Sequence, residues 1–263
     1  MDELLIEVAS GVAVGLGMGL VGAGGAIFTV PVFGTLLGHD PKAAIAEALA
    51  VTGCIAAVSG LAAGVRGLVD WRRVLTYGAA GIVGAQAASP IAVRTSASVQ
   101  TGLFATVALY AAWRMWSGAN GQGDAAHRAP RSPAWKPLAI GCAIGVLTSL
   151  VGVGGGFLLI PALAVLEGLP MPRAVATSLV VIAINASAGL AGLWLNGGFD
   201  ANAFHGRPVA IVAGCGVAGS VLGAAIQRRV PQGMLRRVFA VLLVAVTVAM
   251  VGKLAPGVIF RGN

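Results

Sequence analysis

Leu20-Val21-Gly22-Ala23-Gly24-Gly25-Ala26-Ile27-Phe28-Thr29-Val30-Pro31 is followed 130 residues later by Leu150-Val151-Gly152-Val153-Gly154-Gly155-Gly156-Phe157-Leu158-Leu159-Ile160-Pro161, and six of the twelve positions are identical. Each copy lies in the middle of a long apolar block. A duplicated glycine cluster is a poor way to build a plain membrane span, because glycine weakens a helix. It suits a helix that breaks within the membrane and frees backbone groups to hold something.

The rest of the chain agrees with a membrane setting. It is 57% hydrophobic and 10% charged, with a formal charge of +8. Uncharged runs at Val8–Leu37, Ala48–Val65, Val74–Val93, Thr95–Trp113, Leu138–Leu166 and Ala174–Phe199 approach or exceed the roughly 20 residues that cross a bilayer as a helix. The positive charge therefore belongs to loops, and a nucleic-acid partner is not expected, since no soluble face exists to carry it. The start at Asp2 and Glu3 lacks the basic region of a cleaved signal, so the first block is expected to remain. Cys54, Cys142 and Cys215 each fall within an apolar run without metal-ligand spacing and read as buried thiols.

The match at offset 130 extends to Gly15 with Gly145, Gly38 with Gly168, Ala46 with Ala176, Gly67 with Gly197 and Asp70 with Asp200. It continues at offset 135, with Gly81 on Gly216, Gly84 on Gly219 and Arg94 on Arg229. The expected fold is an all-α polytopic membrane protein of two homologous halves, 1–116 and 138–263, joined by a cytoplasmic linker at 117–137. Eight apolar blocks predict eight to ten membrane segments. The first block of each half is oversized: as a straight helix it would be about 45 Å long, against a hydrocarbon core of roughly 30 Å. It is either one broken helix or a hairpin that turns at the glycines and returns.

Loop charge favours the hairpin, which inverts the halves. With the N-terminus outside, the inner side holds Arg66, Arg72, Arg73, Arg114, Arg128, Arg131, Lys136, Arg173, Arg228, Arg229, Arg236 and Arg237, and the outer side Lys42, Arg94, Arg207, Lys253 and Arg261. That is 12 against 5, where the single-crossing alternative reaches only 10 against 7, and basic residues favour the cytoplasmic side.

A helix that starts inside the membrane presents unpaired N–H groups and a partial positive charge. Two such ends make an anion site without a buried Lys or Arg. Gly22, Gly24, Gly25, Gly152, Gly154, Gly155 and Gly156 are the expected backbone of that site. Thr52, Ser149, Thr177, Ser178 and Asn185 are the candidate side-chain donors, although hydroxyls in membrane helices commonly bond their own carbonyls instead. Pro31 and Pro161 should stop or kink the helix after each break. Glu47 is the one acid read as lying inside a block. It suggests either proton coupling or an interfacial carboxylate within reach of Lys42. His39, His127 and His205 lie in or near loops, away from any nucleophile, so neither a catalytic nor a metal site is expected. No P-loop is present, and no cofactor is expected.

At these motifs the chain resembles the TauE/SafE family of sulfite and organosulfonate exporters. The resemblance rests on Gly22, Gly24, Gly25 and Pro31, on the fuller Gly152, Gly154, Gly155, Gly156 and Pro161, and on Ala176-Thr177-Ser178 opening the next helix. Two departures weaken the first copy: Ala26 replaces the third glycine, and Ala46-Glu47-Ala48 replaces Ala-Thr-Ser. The resemblance implies a secondary transporter in the bacterial inner membrane that exports a small sulfur oxyanion or sulfonate. An importer of similar anions, or a cation-coupled carrier, is the alternative. Its partners would be the anion, the lipid bilayer and, in a dimer, a second copy.

Overall fold

The computed structural model describes residues 2–22, 28–94, 97–118, 135–151, 156–195 and 204–259. These residues are helical throughout apart from short turns, with no strand among them. The order is α1 (Asp2–Val21), α2 (Thr29–Pro31) running into a π-helical stretch (Val32–Leu36), α3 (Pro41–Val65), α4 (Trp71–Arg94) and α5 (Ala97–Gly118). It is followed by α6 (Trp135–Val151), α7 (Gly156–Pro161) running into a second π-helical stretch (Ala162–Leu166), α8 (Met171–Leu195), α9 (Gly206–Gln227) and α10 (Gln232–Ile259).

Several boundaries differ from the apolar blocks. Helix α1 starts at Asp2 rather than Val8, because a membrane helix extends through its interfacial turn regardless of polarity. That extension places Glu7 inside the helix with 3% exposure, so Glu47 is not the only buried acid. Helix α6 starts at Trp135, within the stretch expected as linker.

Four helices are long and apolar enough to cross a bilayer among the described residues: Glu3–Val21, Ala43–Val65, Met171–Gly192 and Gly206–Gln227. Their outward residues are mostly apolar, including Val58, Leu61, Val221 and Leu222. Trp71, Trp113, Trp116, Trp135 and Trp194 are all exposed near helix ends, where an amphipathic ring fits the lipid headgroup region.

Glycine decides how the helices meet. Gly15 faces the backbone of Gly216 and Gly19 that of Ser220, too close for any Cβ, and Gly11 faces Val212. Helices α1 and α9 therefore run in the same direction along a backbone-to-backbone seam. Gly141 faces Tyr77 and Gly145 faces Gly81, so α4 and α6 form a second seam of the same kind. Without a hydrophobic driving force in lipid, such close approach is what holds helices together. Between the seams, α3 and α8 cross the centre antiparallel, with Gly53 against Ala186 and Gly60 against Val180. Helix α3 runs with α9, since Ile55 meets Gly216 and Ser59 donates to Ser220 at 2.8 Å. Helix α8 runs with α4, since Ile184 meets Gly78 and Gln86 meets Gly192. Arg237, near the start of α10, lies 6.0 Å over the Trp116 ring, near the end of α5, so these two packed helices are antiparallel.

These directions constrain the path of the chain. Helices α1 and α3 are both parallel to α9, so the 20 residues of α1 carry the chain about 30 Å one way before α3 sets off the same way again. Residues 22–40 must bring it back. Helices α6 and α8 are both parallel to α4, and residues 152–170 must do the same. The short segments at 29–36 and 156–166 are thus return helices.

Both return helices end alike. The α winding stops at the prolines, which lack an N–H. It widens into π turns, closed by Leu37 N–H to Val32 O at 3.0 Å and Glu167 N–H to Ala162 O at 3.1 Å. A second bond follows in each, from His39 to Phe33 at 3.0 Å and from Leu169 to Leu163 at 2.9 Å. Gly38 and Gly168 take φ of +69° and +68° to make that reversal.

Candidate functional site

Helix α1 stops at Val21 because Gly22 turns out of it with φ +73°, a conformation that glycine adopts without strain. A side chain there would meet Ile160 Cδ1 at 2.8 Å and the Ser178 hydroxyl at 3.1 Å. The first glycine of the first motif is therefore seated against α7 and α8 from later in the chain. Ser178 lies seven residues into α8, about 10 Å from its head. Gln227, the last residue of α9, donates to Leu20 O at 2.9 Å. The end of α1 is thus nearer one face of the molecule than its middle.

After the turn, the first return helix opens at Thr29. Its preceding residue, Phe28, provides no side-chain cap. Thr29 is fully buried, with its hydroxyl 3.3 Å from that of Thr52 on α3. Thr52 was among the expected donors and Thr29 was not, and the two form a buried hydroxyl pair at the head of the return helix. Ser178 is buried and donates to Val175 O at 2.8 Å, so an anion could take its proton only by breaking that local bond. Thr177 is buried too, and its Oγ1 accepts the Asp70 N–H at 3.1 Å.

Asn185 is not brought to this group. It lies about 10 Å from Ser178 along α8, at the depth of Thr52 since Gly53 meets Ala186, but its amide is against Gly81 of α4, which the Gly141 carbonyl of α6 also faces. Its buried Oδ1 has no partner among the described residues. Gly24, Gly25, Gly152, Gly154 and Gly155 lie outside the described residues. Ser149 and Gly156 are described only by their backbone, near the end of α6 and at the head of α7.

Glu47 is wholly buried one turn into α3, with its carboxylate committed to two histidines. Oε2 is 2.6 Å from His39 Nδ1, and Oε1 is 3.0 Å from His205 Nδ1 and accepts the His205 backbone N–H at 2.8 Å. The Lys42 side chain expected near it lies outside the described residues. The convergence of His39 and His205 was not anticipated. No residue identity pointed to it: at offset 135 His205 takes the place of Asp70, which the sequence paired with Asp200, and at offset 130 Glu47 takes that of Thr177. Asp70 N–H to Thr177 and His205 N–H to Glu47 are one backbone contact made twice.

At the other end of the molecule Arg73 binds Asp70 at 2.6 Å and Glu167 at 3.2 Å, and Tyr77 donates to Glu167 at 3.2 Å. That network ties the end of the second return helix to the head of α4.

A family model, sulfite exporter TauE/SafE, matches residues 7–250, a span that takes in both return helices. The chain belongs to the TauE/SafE family. Two relatives of the TauE/SafE chain, each named "Probable membrane transporter protein", come from Xylella fastidiosa strains 9a5c and Temecula1. Each is 25% identical over 259 residues, covering 96% of this chain and 97% of the relative. No solved structure matches it. As a TauE/SafE member with helices able to span a bilayer, the chain is an integral membrane transporter.

Proposed function

We propose that this transporter exports a small sulfur oxyanion, sulfite or an organosulfonate, across the bacterial inner membrane, past the heads of its two return helices. The observation that carries the reading is the head of the first one. At Thr29 the return helix starts without a side-chain cap, against a buried hydroxyl pair midway along α3. The partial positive charge of such a helix head attracts an anion, and hydroxyls add donors while leaving the ligand exchangeable. The motif at 152–156 would supply the matching head, with Gly156 starting the second return helix.

Two further assignments go with this reading. The halves 1–116 and 138–263 are inverted copies. The directions of the helices support this, since α1, α3, α5 and α9 run one way and α4, α6, α8 and α10 the other. The N-terminus lies outside. Among the described residues the ends of helices on the opposite face carry Arg66, Arg72, Arg73, Arg114, Lys136, Arg173, Arg228, Arg229, Arg236 and Arg237. The N-terminal face carries Lys42, Arg94, Arg207 and Lys253. Ten against four favours the arginine face as cytoplasmic. Export then runs with the membrane potential, which drives an anion outward by about 2.3 kcal/mol per charge per 100 mV.

The test is flux from proteoliposomes loaded with sulfite, thiosulfate, sulfoacetate, taurine or chloride under an imposed potential. Sulfite or a sulfonate should move fastest and Gly155→Leu should abolish movement in protein that still inserts. Transport of none of these anions would remove the reading. A pH gradient at zero potential separates potential-driven flux from proton coupling through Glu47.

A further inference from the structure

Glu47 presents an unusual problem for a buried acid. Its side chain has no exposure, and among the described residues its only ion-pair partners are two imidazoles. An ionised carboxylate taken out of water needs a compensating cation close by. Both histidines turn the same atom, Nδ1, toward it, and their rings stack with centroids 4.1 Å apart and 30° between planes. The two nitrogens and the carboxylate oxygen all lie within 4.8 Å of one another. Two neighbouring rings that aim the same nitrogen at one carboxylate surround a single point in space.

We propose that His39, Glu47 and His205 form a site for a zinc-class divalent cation on the N-terminal face. Two imidazole nitrogens and one carboxylate oxygen are a donor set that borderline metals such as Zn2+ prefer. Ligand atoms of a tetrahedral zinc lie about 3.3 Å apart, given bonds of roughly 2.0–2.1 Å. The present spacings, 2.6 Å from His39 Nδ1 to Oε2 and 3.0 Å from His205 Nδ1 to Oε1, would have to open by about 0.7 and 0.3 Å, within the reach of a side-chain rotation. On binding, each Nδ1 gives up its hydrogen, to Nε2 of the same ring or to water, and the cation replaces two hydrogen bonds. The His205 backbone N–H continues to hold Oε1, as outer-shell groups hold ligating carboxylates. The His39 side chain is 9% exposed and that of His205 50%, so the site is closed on the protein side and open on the other. Three protein ligands leave a fourth position for water or an anion.

The three ligands come from three segments. His39 follows the first return helix with its ring tilted against that of Phe33, centroids 5.8 Å apart, Glu47 is on α3, and His205 precedes α9. An ion bound there staples the end of the return helix to α3 and α9. Resting on the transport reading above, the consequence is that Zn2+ on the N-terminal face slows flux.

The first experiment needs no transport. The detergent-purified chain, with any polyhistidine tag removed, is titrated with Co2+ and then Zn2+. One equivalent of Co2+ should bind with the visible absorption of a four-coordinate ion, Zn2+ should displace it, and Zn2+ should raise the Tm reversibly with a chelator. His39→Ala and His205→Ala should each weaken binding by more than the ~10–100-fold typical of losing an outer-shell partner, and should lose the Tm shift. Glu47→Gln, which keeps the volume, should do the same. Absence of saturable binding by the folded chain, or binding by both histidine variants as tight as by the unaltered chain, overturns the site. In proteoliposomes Zn2+ should slow anion flux through the unaltered chain and leave His205→Ala untouched; Zn2+ that binds without slowing flux overturns the staple. If no anion moves at all, the transport reading fails and the Co2+ titration still decides the metal.

Discussion

The two faces of the molecule close the same backbone joint with different chemistry. On the arginine face, the N–H of Asp70, just ahead of α4, donates to Thr177 in α8. On the N-terminal face, the N–H of His205, just ahead of α9, donates to Glu47 in α3. The first joint is neutral at its centre, and the charges beside it are settled by Arg73 with Asp70 and Glu167. An arginine is charged at any working pH, so that joint has one state. The second joint puts the acid at the buried centre and surrounds it with histidines, whose charge depends on protons or on a metal. The contrast teaches that one face is built as a fixed hinge and the other as a site whose charge can be changed. Such a difference would make the molecule asymmetric across the membrane although its elements recur in the same order.

The largest effects should come from the seams that hold both joints in register. Gly15→Leu and Gly145→Leu each drive a side chain into a facing carbonyl, with no flexible neighbour to give way. Both should lose the folded, monodisperse protein in detergent chromatography, and to a similar degree. A well-folded Gly145→Leu beside a collapsed Gly15→Leu would break the likeness of the two seams.

Exchanging the central residues of the joints comes next. Thr177→Glu buries a carboxylate beside Asp70 and should destabilise by about 3 kcal/mol or more. Glu47→Thr keeps an acceptor for the His205 N–H but strips both imidazoles of their shared partner, so it should cost less, about 1–2 kcal/mol. Thermal unfolding of the two variants measures the difference. Equal losses would show that the joints do not differ in kind. Arg73→Ala, which leaves Glu167 without its cation at a partly exposed site, should cost about 2 kcal/mol, discounted for solvent from the 3–5 kcal/mol of a buried pair.

Sidedness can be read without any change in stability. In a chain whose Cys54, Cys142 and Cys215 are replaced by Ala, single cysteines at 42 and at 229 should label from opposite sides of the membrane. Labelling from one side would merge the two faces and reject the return helices.

The interruptions were legible because glycine and proline act locally. Gly22 ends α1 wherever α1 is placed, and Pro31 and Pro161 end the α winding because they lack an N–H. The seams were partly legible: Gly15, Gly81, Gly145 and Gly216 stood out as matched positions, and they face one another crosswise. Other features depend on tertiary packing. Glu47 and His205 are 158 residues apart and meet only because α3 runs beside α9. Asn185 looked like a binding amide and lies on the α4–α6 seam, a position set by the path of α8 rather than by its neighbours in sequence. Glu7 is buried because α1 begins six residues before its apolar block does. The π turns at 32–36 and 162–166 carry no mark in composition and come from closing a return helix onto a glycine reversal.

Sulfite efflux from proteoliposomes under an inside-negative potential, compared between the unaltered chain and Gly22→Val, tests the central claim most directly. Valine at φ +73° is strained by about 1–2 kcal/mol and meets Ile160 and Ser178, so the turn ahead of the return helix must change. The unaltered chain should release sulfite and the variant, still inserted and monodisperse, should release almost none. Equal efflux from both would mean that the anion does not pass the broken helix.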